Sequence, residues 1–169
     1  MFRRFAAPAV VAISLLASAS AQALTWDLVN VSFGDGLAVT GQFDYDAPSN
    51  LYSHWSIQVP AGGIFSAYTY QPVADGGFAG TASANSVDFV TTALGRYLHL
   101  GFSQALTNQG GAVSLLTEGG SFECNNCDQS RLLVAGLVIA RPVPEPASWG
   151  LMALGGLGLV AWRRRAQRG

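Results

Sequence analysis

LAVTGQFDYDAPSNLYSHWSIQV, residues 37–59, alternates twice across a turn, and the rest of the chain can be read from it. Leu37, Val39, Gly41, Phe43 and Tyr45 share one face; Ala38, Thr40, Gln42 and Asp44 share the other. Ala47-Pro48-Ser49-Asn50 then interrupts the run with residues that favour turns. The alternation resumes with Leu51, Ser53, Trp55, Ile57 and Val59 facing one way and Tyr52, His54, Ser56 and Gln58 the other. Successive side chains of a strand point to opposite faces, so two such runs across a short turn predict an antiparallel β-hairpin.

Outward from the hairpin the same period recurs, and no window carries helical periodicity. A strand is expected at Trp26–Phe33 before it, and further strands at Ile64–Tyr70, Ser86–Ala93, Tyr97–Phe102, Val113–Thr117 and Leu132–Ala140 after it. Gly76-Gly77, Gly110-Gly111 and Gly119-Gly120 punctuate these runs. Leu132–Ala140 is apolar on both faces and is expected to be a central strand covered on both sides. About eight short strands with turn signals between them predict an all-β domain, an antiparallel β-sandwich or jelly roll.

Beyond the β region, each end has a different character. Residues 1–23 read MFRRFAAPAVVAISLLASASAQA: Arg3 and Arg4, a short apolar run, then Ala21-Gln22-Ala23 with small residues at the two outer positions. That order is a secretory signal peptide, cleaved by signal peptidase so that the mature chain begins at Leu24. At the other end, Ala147–Trp162 is uncharged and is followed by Arg163, Arg164, Arg165 and Arg168. Built as a helix this stretch measures about 24 Å, short against a hydrocarbon core of about 30 Å. The arginines hold their side of it in the cytoplasm, which places the preceding chain across the membrane. Pro144 and Pro146 remove two backbone donors and keep the chain just outside the membrane extended.

Pro144-Glu145-Pro146, a glycine-rich apolar stretch and a terminal arginine cluster together resemble the PEP-CTERM sorting signal, a segment also called an ice-binding protein C-terminal domain. The resemblance covers the last 28 positions, 142–169. It implies a substrate of exosortase, a membrane-embedded, cysteine-peptidase-like enzyme of Gram-negative bacteria often encoded beside exopolysaccharide genes. On that basis Pro144, Glu145 and Pro146 are the recognised tripeptide, 147–162 holds it in the membrane, and Arg163–Arg165 stop translocation. A plain single-pass anchor is the alternative. The strands Gly41-Gln-Phe-Asp-Tyr-Asp46 and Tyr52-Ser-His-Trp55-Ser-Ile57 are also similar to a recurrent opening of small PEP-CTERM ectodomains, a group with no activity to carry over.

Composition narrows what residues 24–141 can do. Lysine is absent, and residues 24–143 hold three arginines (Arg96, Arg131, Arg141) against nine acids, a formal net charge of −6. That balance argues against nucleic acid, whose affinity rests on neutralised phosphates, and against anionic lipid. Cys124 and Cys127 form a C-x-x-C in an exported chain, which reads as a structural loop disulfide ahead of a redox pair or half a zinc site. Asp44 with Asp46, and Glu118 with Glu123, are available carboxylate pairs, but acids near turns more often solvate a surface. Asp44, Asp46 and Asn50 lack the glycine of a calcium loop. His54 and His99 fall on outward faces without a nucleophile elbow nearby in sequence. Tyr52, Tyr68, Tyr70 and Tyr97 are expected to serve core and edge packing, with stacking on sugar rings the alternative if they are exposed on one sheet face.

The expectation is an exported envelope or extracellular protein with no cofactor and no recognisable catalytic constellation. It would be processed by signal peptidase and exosortase, held in the inner membrane as a precursor, and structural or biofilm-associated through exopolysaccharide. The alternative is a secreted polysaccharide-acting hydrolase.

Overall fold

The computed structural model describes residues 23–72, 77–91 and 95–141. The expected signal segment up to residue 22 and the expected sorting segment from 142 lie outside them. Among the described residues ten strands run in chain order: β1 Leu24–Phe33, β2 Ala38–Asp46, β3 Leu51–Val59, β4 Tyr68–Tyr70, β5 Phe78–Ser83, β6 Ser86–Thr91, β7 Arg96–Gly101, β8 Ala112–Ser114, β9 Phe122–Asn125 and β10 Gln129–Ala140. Among the described residues there is no helix, and so none long and apolar enough to cross a membrane.

All pairings are antiparallel, in the order β4-β3-β2-β1-β10-β9-β7-β6-β5, with β8 added on β10. β10 is the spine. Its first residues, Gln129–Leu132, pair with β9, while Phe33 to Trp26 of β1 run alongside Leu133 to Ala140. The sheet curls about this strand until β3 approaches β5 and β4 approaches β6. The apolar faces meet inside the curl: Phe43 packs on Phe89 with ring centroids 5.8 Å apart, and Trp55 on Phe89 at 5.5 Å. Trp26, Phe33, Ile57, Leu98, Leu100 and Leu133 complete this core. Burying each such side chain contributes about 1.5–3 kcal/mol, so the β2–β3 hairpin and the β6–β7 hairpin hold each other in place.

The curl leaves β5 with one open edge, and side chains from the start of β3 and the turn before it reach across to it. Tyr52 Oη donates to Ser83 O at 2.7 Å, and Asn50 Nδ2 to Ala82 O at 3.0 Å. Asn50 Oδ1 in turn accepts from Tyr45 Oη at 2.9 Å. An open edge is a template for unwanted strand pairing, and these donors occupy part of it.

The alternation of β2 is as expected, with Val39, Phe43 and Tyr45 buried. That of β3 is not. Simple alternation puts Tyr52 on the same face as the exposed His54, yet Tyr52 is buried, because β3 carries one extra residue: Gln42 pairs with Ser56, but Asp44 with Ser53. His54 takes up the irregularity with φ at 47°. A one-residue bulge reverses the phase of every side chain beyond it. β1 does the same at Asn30, φ 53°, where the pairings with both β2 and β10 slip by one.

Three further expectations need correction. β5 and β9 were not anticipated: Phe78-Ala-Gly-Thr-Ala-Ser83 is made of small residues, and β9 is four residues long beside a cysteine loop. The Ile64–Tyr70 run splits into a turn, with a bridge between Gly62 and Phe65, and the short β4. β10 is central but covered on one face only, for Leu132, Val134 and Ile139 are exposed.

Gly41 is where the bulged hairpin tolerates no side chain. Its φ is 136°, and a Cβ there would stand 2.1 Å from Ser56 O. Gly41→Ala is expected to cost about 2–4 kcal/mol, read as a lower urea midpoint with unchanged slope.

Candidate functional site

The chemistry of this lysine-free domain concentrates at one buried point, where the inward faces of β7, β9 and β10 meet the connection between β3 and β4. Arg96 opens β7 on the same face as Leu98, Glu123 lies in β9, and Arg131 in β10 is in register with Glu123 across the β9–β10 pair. Glu123 is fully buried and shared. Its Oε1 accepts from Tyr70 Oη at 2.8 Å and from Arg96 Nε at 3.1 Å, with a further short contact from Arg96 Nη2. Its Oε2 accepts from Arg131 Nε at 2.7 Å.

Two guanidiniums thus converge on one carboxylate. Ring faces offset the second positive charge: Arg131 lies 3.8 Å over the Phe33 centroid and 4.9 Å from that of Phe65, and Arg96 lies 5.1 Å from that of Tyr68. A cation over a π face is stabilised most where water is excluded. Burial by itself would lower the Arg96 pKa, but its bond to Glu123 and the neighbouring Tyr70 outweigh that and leave it raised. Burial, followed by the Glu123 charge, drives the Tyr70 phenol well above its ordinary value.

The same side chains strap down the β3–β4 connection. Arg131 Nη2 donates to Pro60 O at 2.8 Å and Arg96 Nη1 to Ser66 O at 3.1 Å, one on each side of the Gly62–Phe65 turn. The Phe65 ring sits between the two cations. Gly62 sits close under this cluster: a Cβ there would meet Leu37 Cδ1 at 2.7 Å and the Arg131 and Asp35 side-chain ends at 2.9 Å, which would have to move aside. Clefts of about 210 and 260 Å³ flank the turn and share Ile64 and Phe65. Arg131 lines the second, and its Nη1 is buried without a hydrogen-bond partner.

Glu123 was expected to be a surface acid paired with Glu118. Instead Glu118 is exposed and Glu123 is the most enclosed charge among the described residues. The signal that would have found it is the pairing of scarcity with parity. In a lysine-free segment with three arginines, Arg96 and Arg131 stand two residues before Leu98 and Leu133, on inward-facing positions.

The remaining candidates are spread apart. His54 Nδ1 lies 3.0 Å from Asp44 Oδ2, and Thr25 Oγ1 donates to Asp44 Oδ1 at 2.6 Å. This order runs hydroxyl, carboxylate, imidazole; activating a nucleophile needs the imidazole in the middle. His99 Nδ1 contacts Asp88 on the adjacent strand, and its ring stacks on Phe122 at 5.1 Å. Asp46 is held by Ser49 and Asn108, whose hydrogen bonds keep its carboxyl below the usual range, while Asn50 serves Tyr45 and β5. Asp44, Asp46 and Asn50 therefore do not converge, and the described residues contain no cluster of three or more His, Cys, Asp or Glu suited to a metal. Tyr52 and Tyr70 are buried, leaving Tyr68 and Tyr97 half-exposed, so the four tyrosines make no common platform.

Cys124 and Cys127 are joined across the β9–β10 turn. Tyr97 Oη lies 3.1 Å from Cys127 Sγ and, as a bonded sulfur carries no proton, donates to it. Ala23 is the residue before β1, whereas Ala21, Pro144, Glu145, Pro146 and Arg163–Arg165 lie outside the described residues.

Two outcomes are expected. Glu123→Gln leaves two buried guanidiniums facing a neutral amide and should cost about 3–5 kcal/mol in chemical denaturation. Reduction of the four-residue Cys124–Cys127 loop should cost about 2 kcal/mol or less, measured the same way with and without reductant.

No curated protein and no solved structure matches this chain. A family model does match beyond the last strand, over residues 142–165, and its description is the PEP-CTERM protein-sorting motif. The β domain that ends at Arg141 is therefore followed directly by the signal of an exported, exosortase-processed protein, and the chain is identified as a bearer of the PEP-CTERM sorting motif.

Proposed function

We propose that residues 24–141 are a non-catalytic, sandwich-like β module delivered to the cell envelope or extracellular matrix, where the module is structural or associated with exopolysaccharide. The observation that carries this reading is the sorting motif set directly after an all-β domain. The condition of the ionisable groups supports it. Arg96, Glu123 and Arg131 hold the fold together, Arg141 pairs with Asp27, and each histidine is engaged by an aspartate.

In this reading residues 1–23 are removed by signal peptidase. Residues 147–162 hold the precursor in the inner membrane with Arg163–Arg165 on the cytoplasmic side, and exosortase releases the chain at Pro144–Pro146. An acidic module with no lysine stays apart from anionic lipid and nucleic acid and is free to associate with neutral or cationic polymer.

Intact mass analysis of the cell-surface or secreted material tests the processing. A chain beginning at Leu24 and ending near Pro144 is expected; one in the membrane fraction that still carries Arg168 would refute it. Incubation of that mature protein with exopolysaccharide is expected to give retention without turnover. Release of oligosaccharide product would replace the module reading with a hydrolase.

A further inference from the structure

Almost no chain separates the folded domain from the sorting tripeptide. β10 is hydrogen-bonded to its last residue, with Ala140 N donating to Gly111 O at 2.9 Å and Arg141 N to Thr25 O at 2.8 Å. The Arg141 guanidinium closes the end with two bonds of 2.7 Å to the Asp27 carboxylate and one to Gln42 Oε1. Pro142 and Val143 are then the only residues before Pro144. Three extended steps from Arg141 to Pro144 reach about 11 Å at most. A peptidase that holds the backbone on both sides of Pro144–Pro146 therefore works in contact with this end of the domain.

We propose that the end formed by the start of β1, the 107–111 loop and Arg141 is a docking face for the peptidase that reads the tripeptide, a second recognition element beside it. The proposal rests on exosortase processing. The face is concave, with a cleft of about 340 Å³ bordered by Leu24, Asn108, Gly110, Ala140 and Arg141. It is also held in shape. Asn108 Oδ1 accepts from Ala47 N at 2.9 Å, and Asn108 Nδ2 donates to Asp46 Oδ1 at 3.0 Å. Gly110 lies so close to the strand ends that a Cβ would stand 3.0 Å from Ala140 Cβ and 3.3 Å from Leu24 Cδ1. A surface fixed in advance loses little entropy when a partner seats on it. Asp27, Asp44 and Asp46 outnumber Arg141 here, which suits a neutral or basic protein surface and opposes anionic lipid headgroups.

The test follows conversion of the full precursor by pulse–chase in a cell that carries the processing enzyme. One variant inserts about ten Gly/Ser residues between Arg141 and Pro142, which lets the tripeptide engage without the face. A second, Gln109→Trp, sets a bulky ring on an exposed position beside the cleft, and protease resistance of the domain checks that it folds. Each should slow conversion about fivefold, the loss of one modest contact patch. Conversion of the insertion variant at or above the normal rate would make the domain an obstacle at most and overturn the proposal, as would Gln109→Trp converting normally. Glu145→Ala keeps the two ideas apart: it should abolish conversion, and normal conversion would remove the processing reading itself.

Discussion

A carboxylate taken fully out of water is tolerated only when its charge is met, and Glu123 meets that condition with two guanidiniums and a phenol. Much of the architecture follows from how those donors are supplied. Arg96 comes from the first residue of β7, Arg131 from the start of β10 and Tyr70 from the end of β4, so one acid ties together strands from both halves of the curl. Such a cluster adds little net stability over a well-packed apolar one, but breaking it is costly. Its geometry belongs to the pairing seen: Arg131 reaches Glu123 from the position opposite it across β9–β10.

The aromatic rings around the cluster solve the arithmetic of two cations and one anion. Phe33, Phe65 and Tyr68 present their faces to the arginines, and Phe65 can do so because the Gly62–Phe65 turn is held by those same arginines through Pro60 O and Ser66 O. Charge, ring and turn are thus mutually dependent. The connection between β3 and β4 has little regular structure of its own, yet it is tied at both sides of its turn by the two arginines.

How much of this could be read beforehand depends on whether the signal was local. Val39, Phe43 and Tyr45 declared their face by simple alternation, and the hairpin turn by its residues. Tyr52 did not, because a bulge at His54 shifts the phase and nothing in Tyr-Ser-His-Trp announces an extra residue. Glu123 was misread for a different reason. Its partners Arg96 and Arg131 are 27 and 8 residues away, and only the pairing of β9 with β7 and β10 brings them together. The sorting motif was the most legible feature of all, since a linear peptide read by an enzyme must be encoded contiguously. The outer face of β10 marks the opposite limit: an apolar composition shows that a strand is central but cannot show how many of its faces are covered.

The pairing of Trp26 with Ala140 has a consequence in time. A chain that emerges N-terminus first, from a ribosome or through a channel, presents β1 more than a hundred residues before the strand that must lie beside it. Local hairpins such as β2–β3 and β6–β7 can form as they appear, but the seam between the first and last strands waits for the end of the domain. Closing so long a loop makes the last step of folding the most non-local one. The domain is therefore built to stay open until residue 140 has arrived, and completes itself at the moment its sorting motif comes next in line.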